Sequence, residues 1–218
     1  MSLCLAITET NWAVTKDVFG VIGTLVSAAG VGVAAYVGCS GLKTWKRQNK
    51  GTSDHDLARR ILIEMYKYRD ALSYVRSPAL WSHEVQLSKE ERIGLSSEQE
   101  AFKGQSQAYH RRLAEADRFK ASLLTNILES EAVWGREVKE LFEPLFKLHS
   151  ALAGYIGTYL RMQDPYASPD MREAYRKIHR AKPDILYYAM DGESDAWADS
   201  FNSLIFEIEE VLRKRLIR

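Results

Sequence analysis

The feature that most constrains this chain is a long apolar stretch near its start. Residues 18–42 contain no charged side chain. A helix rises about 1.5 Å per residue, so residues 18–37 alone would cover the roughly 30 Å hydrocarbon core of a bilayer. The stretch therefore predicts a single transmembrane helix over residues 18–42.

Small residues recur along the predicted span at the four-residue spacing of a helix face. One face carries Gly20, Thr24, Ala28 and Gly32, and another carries Gly30, Ala34 and Gly38. Lipid provides no hydrophobic drive between helices, so transmembrane helices associate where small residues let their backbones approach closely. The pattern predicts a homo-oligomer that packs through the span, beside the simpler role of an anchor. The lack of ionisable residues argues against an ion or proton path through this helix.

Basic residues follow the span without an intervening acid. They are Lys43, Lys46, Arg47 and Lys50. The positive-inside rule places the C-terminal side in the cytoplasm and residues 1–17, a short extracytoplasmic tail, outside. We interpret residues 43–52 as a basic juxtamembrane linker whose four cations contact anionic lipid headgroups.

Two other interpretations of the stretch place the following domain differently. A cleaved secretory signal is disfavoured because residues 1–17 are long and mixed rather than short and basic. The run Tyr36-Val37-Gly38-Cys39 resembles a lipobox, in which a cysteine after a small residue is lipidated, although Tyr36 stands where that pattern has leucine. A lipoprotein would carry its domain in the periplasm, and the basic residues after Cys39 oppose that export.

Composition narrows the class of the remaining chain. Basic and acidic residues are balanced at 30 against 29, which disfavours a general nucleic-acid binder. The only two cysteines are Cys4 and Cys39. Residues 53–218 therefore have no disulfide framework and no thiolate metal site, as is typical of a reducing compartment.

Periodic apolar residues predict that residues 53–218 are helical. Alternating steps of three and four recur along this region and indicate amphipathic helices. The apolar seams include Met65, Tyr68, Leu72 and Val75 in the first helix, Tyr109, Leu113 and Ala116 in the second, and Phe201, Ile205, Ile208, Leu212 and Leu216 in the last. Ser53 with Asp56, and Ser97 with Glu100, match capping boxes that would start two of them, the second running to about residue 129. We therefore predict an all-α fold, with a single N-terminal transmembrane helix followed by an antiparallel helical bundle in a cytoplasmic domain over residues 53–218.

The clearest seam runs over residues 134–160. Pro144 within it predicts a kink, or a second helix that begins there. Ser168 as an N-cap predicts a short helix to about residue 181, the apolar run 184–190 is interpreted as helical, and a last helix follows it. His149, beside the main seam, is interpreted as a buried or boundary histidine that hydrogen-bonds a neighbour.

No residue pattern in the chain predicts catalysis. A glycine-rich phosphate loop, a G-x-S-x-G elbow and an H-E-x-x-H helix are all missing from the sequence. The acidic group Asp191, Glu193, Asp195 and Asp199 departs from a calcium loop, which would need glycine at Ala196 and glutamate at Asn202. Acids favoured at a helix N-terminus explain this group, so we name no catalytic residue, metal or cofactor.

Several short runs resemble those of a loosely defined class of bacterial proteins. The runs are Leu42–Gln48, Ala58–Arg60, Tyr66–Leu72, Val75–Arg76 and Glu131–Gly135. Over residues 42–160 the chain resembles small uncharacterised bacterial proteins with one N-terminal span and a helical cytoplasmic domain. The resemblance implies a bacterial inner membrane and carries no activity.

These observations predict a membrane-anchored helical interaction module, acting as a scaffold, sensor or effector toward an unidentified protein partner. Its other predicted contacts are membrane lipid and further copies of itself, with no nucleic acid. The alternative is a membrane-perturbing effector whose span oligomerises and lets ions leak, and the second alternative is the periplasmic lipoprotein.

Overall fold

The structure is a computed structural model that describes residues 9–188 and 194–216, with side chains from residue 14 onward. Within those ranges the chain forms seven helices and no strand, which confirms the all-helical prediction. The helices, in chain order, are α1 (Glu9–Val75), α2 (Ser82–Val85), α3 (Lys89–Arg92), α4 (Ser97–Trp134), α5 (Glu137–Gln163), α6 (Pro169–Arg180) and α7 (Ala196–Leu216).

The chain divides into two compact units between Ser53 and Asp54. In the N-terminal unit, the described side chains from Val14 onward are exposed as far as Lys50. The helical unit, which begins at Asp54, contains the hydrophobic core. Its buried side chains come mainly from the last part of α1 and from α4, α5 and α7.

The prediction that a helix starts at Ser53 is wrong, because residues 43–53 belong to α1. No proline interrupts the chain before Pro78. Gly51 costs a helix only about 1 kcal/mol relative to alanine, and the Thr52 hydroxyl donates back to the carbonyl of Gln48 at 3.0 Å. The predicted juxtamembrane linker is therefore a stretch of helix.

The α4–α5 connection lies where the predicted main seam began. Gly135 has φ of 83°, a left-handed conformation that glycine adopts without steric cost, and it ends α4 after Trp134. The capping box of α4 is Ser96 with Gln99, one residue before the predicted pair. α5 continues through Pro144, so the alternative of a second helix starting there is wrong.

Three elements are predicted for the C-terminal region, and the structure confirms the two helices α6 and α7. Ser168 caps α6, with Pro169 in its first turn, and α7 buries Phe201, Ile205, Ile208 and Leu212, as predicted. The helical interpretation of the apolar run 184–190 is wrong for residues 184–188, which are irregular. The Asp184 carboxylate accepts the backbone N–H of Leu186 at 2.9 Å, which fixes a local turn instead. Residues 189 and 190 lie outside the described residues.

We predict that Gly104→Ala destabilises the helical unit. Gly104 is buried in α4, and a methyl group there would overlap the backbone carbonyl of Val85 in α2. The free energy of unfolding should fall by about 1–3 kcal/mol, measured by urea denaturation followed by tryptophan fluorescence.

Gly154→Ala is the matched control, because Gly154 is exposed on α5 and has open space around it. That change should raise the free energy of unfolding by about 0.5–1 kcal/mol through helix propensity. Equal effects of the two substitutions would contradict the close packing of α2 on α4.

Candidate functional site

The N-terminal part of α1 exposes apolar side chains on all sides. Phe19, Val26 and Val31 are each exposed by at least 67%. α1 is long and apolar enough to cross a membrane, with an 18-residue window of mean hydropathy 2.0 that is not buried within the chain. Water is an unfavourable solvent for such a surface, and the hydrocarbon core of a bilayer is a favourable one.

The predicted packing residues of the span lie on the exposed part of α1. A Cβ atom added at Gly20, Gly30, Gly32 or Gly38 would meet nothing within 4 Å. Thr24 donates its hydroxyl to the Gly20 carbonyl at 2.9 Å, so it adds no unsatisfied polar group to the surface. Ala28 and Ala34 are exposed on the same helix. Nothing within the described residues therefore accounts for the small size of these side chains.

The four predicted headgroup residues lie on one face of α1. Because residues 43–50 are helical, the spacing of Lys43, Lys46, Arg47 and Lys50 follows i, i+3, i+4 and i+7. All four are exposed. No ion pair joins them to another residue in the described part of the chain, so their charges face solvent or lipid.

The helical unit contains a buried arginine that joins three segments. The Arg112 guanidinium donates to both carboxylate oxygens of Glu84 at 2.7 Å. It also donates to the carbonyls of Tyr74, Ser77 and Ala79 at 2.7–3.1 Å. The hydrogen bonds that Arg112 donates to the Glu84 carboxylate are the main cause that lowers the pKa of Glu84 to about 2. Arg112 is therefore buried, although it belongs to the basic run His110-Arg111-Arg112.

A second buried arginine lies where α1 ends. Arg76 is fully buried and donates to both carboxylate oxygens of Asp195 at 2.9 and 3.1 Å. It also donates to the carbonyls of Ile185 and Tyr187 at 2.9 and 2.6 Å. The guanidinium lies over the Trp197 ring, 4.6 Å from its centre. The Nη1 atom of Arg76 has no hydrogen-bond partner among the described residues.

The prediction that His149 is buried and bonded to a neighbour is confirmed. His149 is 2% exposed, and its Nδ1 lies 2.9 Å from the hydroxyl of Tyr68. Its Nε2 lies 3.6 Å from a carboxylate oxygen of Asp117. Burial lowers the pKa of His149, Lys120 lowers it further and Asp117 opposes the change. His149 is therefore held neutral in the core.

The acidic group formed in sequence by Asp191, Glu193, Asp195 and Asp199 is only partly described, and its two described members lie in different surroundings. Asp195 pairs with Arg76, and Asp199 is exposed in the first turn of α7. Asp191 and Glu193 lie outside the described residues. In the part of the chain that the structure describes, no three His, Cys, Asp or Glu residues are grouped to hold a metal. A cavity of about 560 Å³ lies nearby, lined in part by Leu148, Tyr187 and Trp197.

Sequence reasoning missed the two buried arginines. Arg76 directly follows the apolar seam that ends at Val75, and Arg112 lies between the seam residues Tyr109 and Ala116. An arginine at a seam position of an amphipathic helix is the signal that was available, since unpaired charge is rarely buried. Their partners are carbonyls and carboxylates distant in sequence, which the pattern does not identify.

Comparison of the chain with protein-family models, curated proteins and solved structures finds no match.

We predict that stability falls as the pH drops below 6.5. The unfolded state binds a proton at His149 more readily than the folded state, whose pKa is lowered from the ordinary value of 6.5. Folding stability is therefore full above pH 6.5 and is lost as the pH falls, by at most about 1.4 kcal/mol per pH unit for one group. Urea denaturation of the detergent-solubilised chain between pH 7.5 and 5 measures this slope.

His149→Gln is the control, because an amide oxygen can still accept the Tyr68 hydroxyl but cannot be protonated in this range. Its slope should be smaller than that of the unmodified chain over the same interval, while the other histidines remain in both proteins. Superimposable pH profiles would exclude His149 as the source.

Proposed function

We propose that this protein is a membrane-anchored helical interaction module at the cytoplasmic face of a bacterial inner membrane. One observation carries the proposal. The exposed, uncharged residues 18–42 of α1 are followed by four cations on one helix face, and no acid lies between the span and Asp54. An apolar helix followed by clustered cations is the pattern of an anchor with its C-terminal side in the cytoplasm.

We also propose that the helical unit is an antiparallel bundle. Along α1, Asp54, Arg60 and the Tyr74 carbonyl are bonded in turn to Trp134, Glu129 and Arg112 of α4. The residue numbers rise on α1 and fall on α4, as expected for antiparallel neighbours.

The pairing of α5 with α7 follows the same rule. Arg215 donates to Glu137 at 2.9 Å, and the Trp197 indole donates to the Leu148 carbonyl at 3.4 Å. The buried arginines Arg76 and Arg112 join segments of this unit through Asp195 and Glu84.

Topology is the direct test of the anchor. We expect a C-terminal fusion to a fluorescent protein that is active in the cytoplasm to be bright, and a fusion to alkaline phosphatase to be inactive. Substituting Lys43, Lys46, Arg47 and Lys50 by glutamine should weaken this orientation preference.

An active phosphatase fusion would contradict the proposal. If the chain then incorporated labelled fatty acid and Cys39→Ser abolished that incorporation, the lipoprotein alternative would hold. Cys39 is exposed on α1, so the substitution removes only the lipidation site.

We further propose that the span associates with other copies through its small residues. Since none of the residues that the structure describes packs on Gly32 or Gly38, replacing them by leucine leaves the isolated helix undisturbed and blocks close approach of a second helix. Gly32→Leu/Gly38→Leu should reduce dimer formation by about tenfold or more, in cross-linking of detergent-solubilised protein.

Ala29→Leu is the matched control, because Ala29 lies outside both small-residue faces and should leave association unchanged. The membrane-perturbing alternative is favoured if expression dissipates the membrane potential and the double substitution prevents this. Equal loss of association in both variants would contradict packing through the small residues.

A further inference from the structure

Residues 43–52 of α1 carry all their charge on one side of the helix. A helix turns about 100° per residue, so the four basic residues at positions 43, 46, 47 and 50 lie within about 100° of one another around its axis. The opposite half of the circumference carries only uncharged side chains, and all of them are exposed. They are Thr44, Trp45, Gln48, Asn49 and Thr52.

The uncharged side of residues 43–52 continues one predicted packing face of the span. Steps of three and four keep residues on one face of a helix, and such a face is the usual seam between two packed helices. Trp45, Gln48 and Thr52 follow Gly38 in steps of this kind. The complete series is Gly30, Ala34, Gly38, Gly41, Trp45, Gln48 and Thr52. We call Trp45, Gln48 and Thr52 the uncharged face.

We propose that two copies of this chain pack in parallel through their uncharged faces, with the cations of both copies turned outward to anionic lipid headgroups. Copies inserted in one membrane with the same topology are parallel, so the pair has a two-fold axis along the membrane normal and each face contacts its own copy. The inference rests on the proposed membrane anchor, and it names the face by which the copies meet outside the hydrocarbon core.

Electrostatic repulsion favours this face over the others. The axes of packed helices lie about 8–10 Å apart, so cations on facing sides would approach within the Debye length of about 8 Å. With the uncharged faces in contact, the cations of the two copies lie on the outer sides, roughly 20 Å apart, and are screened from one another. A second copy is the partner for which this separation matters, because it carries the same four cations.

Contact with lipid alone would not require this division of charge. Anionic headgroups surround a lone helix on all sides and attract cations on every face. The uncharged face also carries a group that suits a like partner, since the Gln48 amide offers both donors and an acceptor to the Gln48 amide of a second copy. The Thr52 hydroxyl donates to the Gln48 carbonyl at 3.0 Å, so its polar group is already satisfied within its own helix.

Cysteine cross-linking of the full-length chain in isolated membranes tests which face is in contact. The native cysteines are first replaced in the variant Cys4→Ser/Cys39→Ser. Single cysteines are then introduced by Gln48→Cys, Thr52→Cys, Lys50→Cys or Ser53→Cys. Ser53 is the matched control because it is exposed and uncharged, and it directly follows Thr52 but lies about 100° away around the helix.

We expect Gln48→Cys and Thr52→Cys to form disulfide-linked dimers about tenfold faster, or more, than the two other variants after addition of an oxidant, because a disulfide requires Cα atoms within roughly 7 Å. Lys50→Cys and Ser53→Cys place the thiol away from the second copy and should react slowly.

A charge introduced on the uncharged face provides a second measurement. Full-length chains with two different affinity tags are co-expressed and co-purified from detergent extracts. Gln48→Lys in both chains, or Gln48→Glu in both, should reduce co-purification, because like charges then face each other. Co-expression of one Gln48→Lys chain with one Gln48→Glu chain should restore it. Ser53→Lys adds the same charge outside the face and should leave co-purification unchanged.

The proposal would be overturned by equal cross-linking rates at all four positions, by faster cross-linking at Lys50 or Ser53, or by no cross-linking at any of them. Failure of the mixed Gln48 pair to restore co-purification, or equal loss in Ser53→Lys, would also overturn it. Copies are parallel in either orientation of the chain in the membrane, so failure of this test and a failed topology test are distinguishable.

Discussion

The architecture of the helical unit depends on the burial of Arg112. A guanidinium transferred from water into a protein interior loses several kcal/mol of hydration free energy unless its donors are matched. Here Glu84 and three backbone carbonyls accept its hydrogen bonds. Because those carbonyls belong to the chain that leaves α1, the irregular path from Tyr74 to Ala79 is fixed by one side chain of α4. The position of α2 follows from the same contact, through Glu84.

The two units place their apolar side chains in opposite environments. In the helical unit, apolar side chains are buried among themselves and the few buried charges are paired. In the N-terminal unit, apolar side chains are exposed and charge is excluded from residues 18–42. The composition of the whole chain is therefore an average over two different environments. Its balanced total charge describes neither unit.

The sequence predicted helices reliably where local signals agree. The seam residues Met65, Tyr68 and Leu72 are buried as their spacing indicates, and Ser168 caps α6. It failed where a single residue or a distant partner decides the structure. Gly135 divides a seam that continues without error in spacing, since periodicity does not register a left-handed residue. Residues 184–188 are apolar enough for a helix, yet their backbone carbonyls are used by Arg76, a partner more than a hundred positions away.

The Arg76–Asp195 pair has a consequence for the order in which the chain is made. Its two members are 119 positions apart, and Arg76 emerges from the ribosome long before Asp195 and the aromatic ring of Trp197. Synthesis proceeds at about 5–20 residues per second, so the guanidinium lacks its carboxylate for several seconds. In a compact intermediate of α1, α4 and α5, burial of Arg76 would leave its charge without a carboxylate partner. Because that burial is unfavourable, the region around Arg76 should stay exposed to water in the intermediate. Native burial of Arg76 becomes favourable only when the start of α7 arrives, which makes the docking of the last helix the step that completes the core.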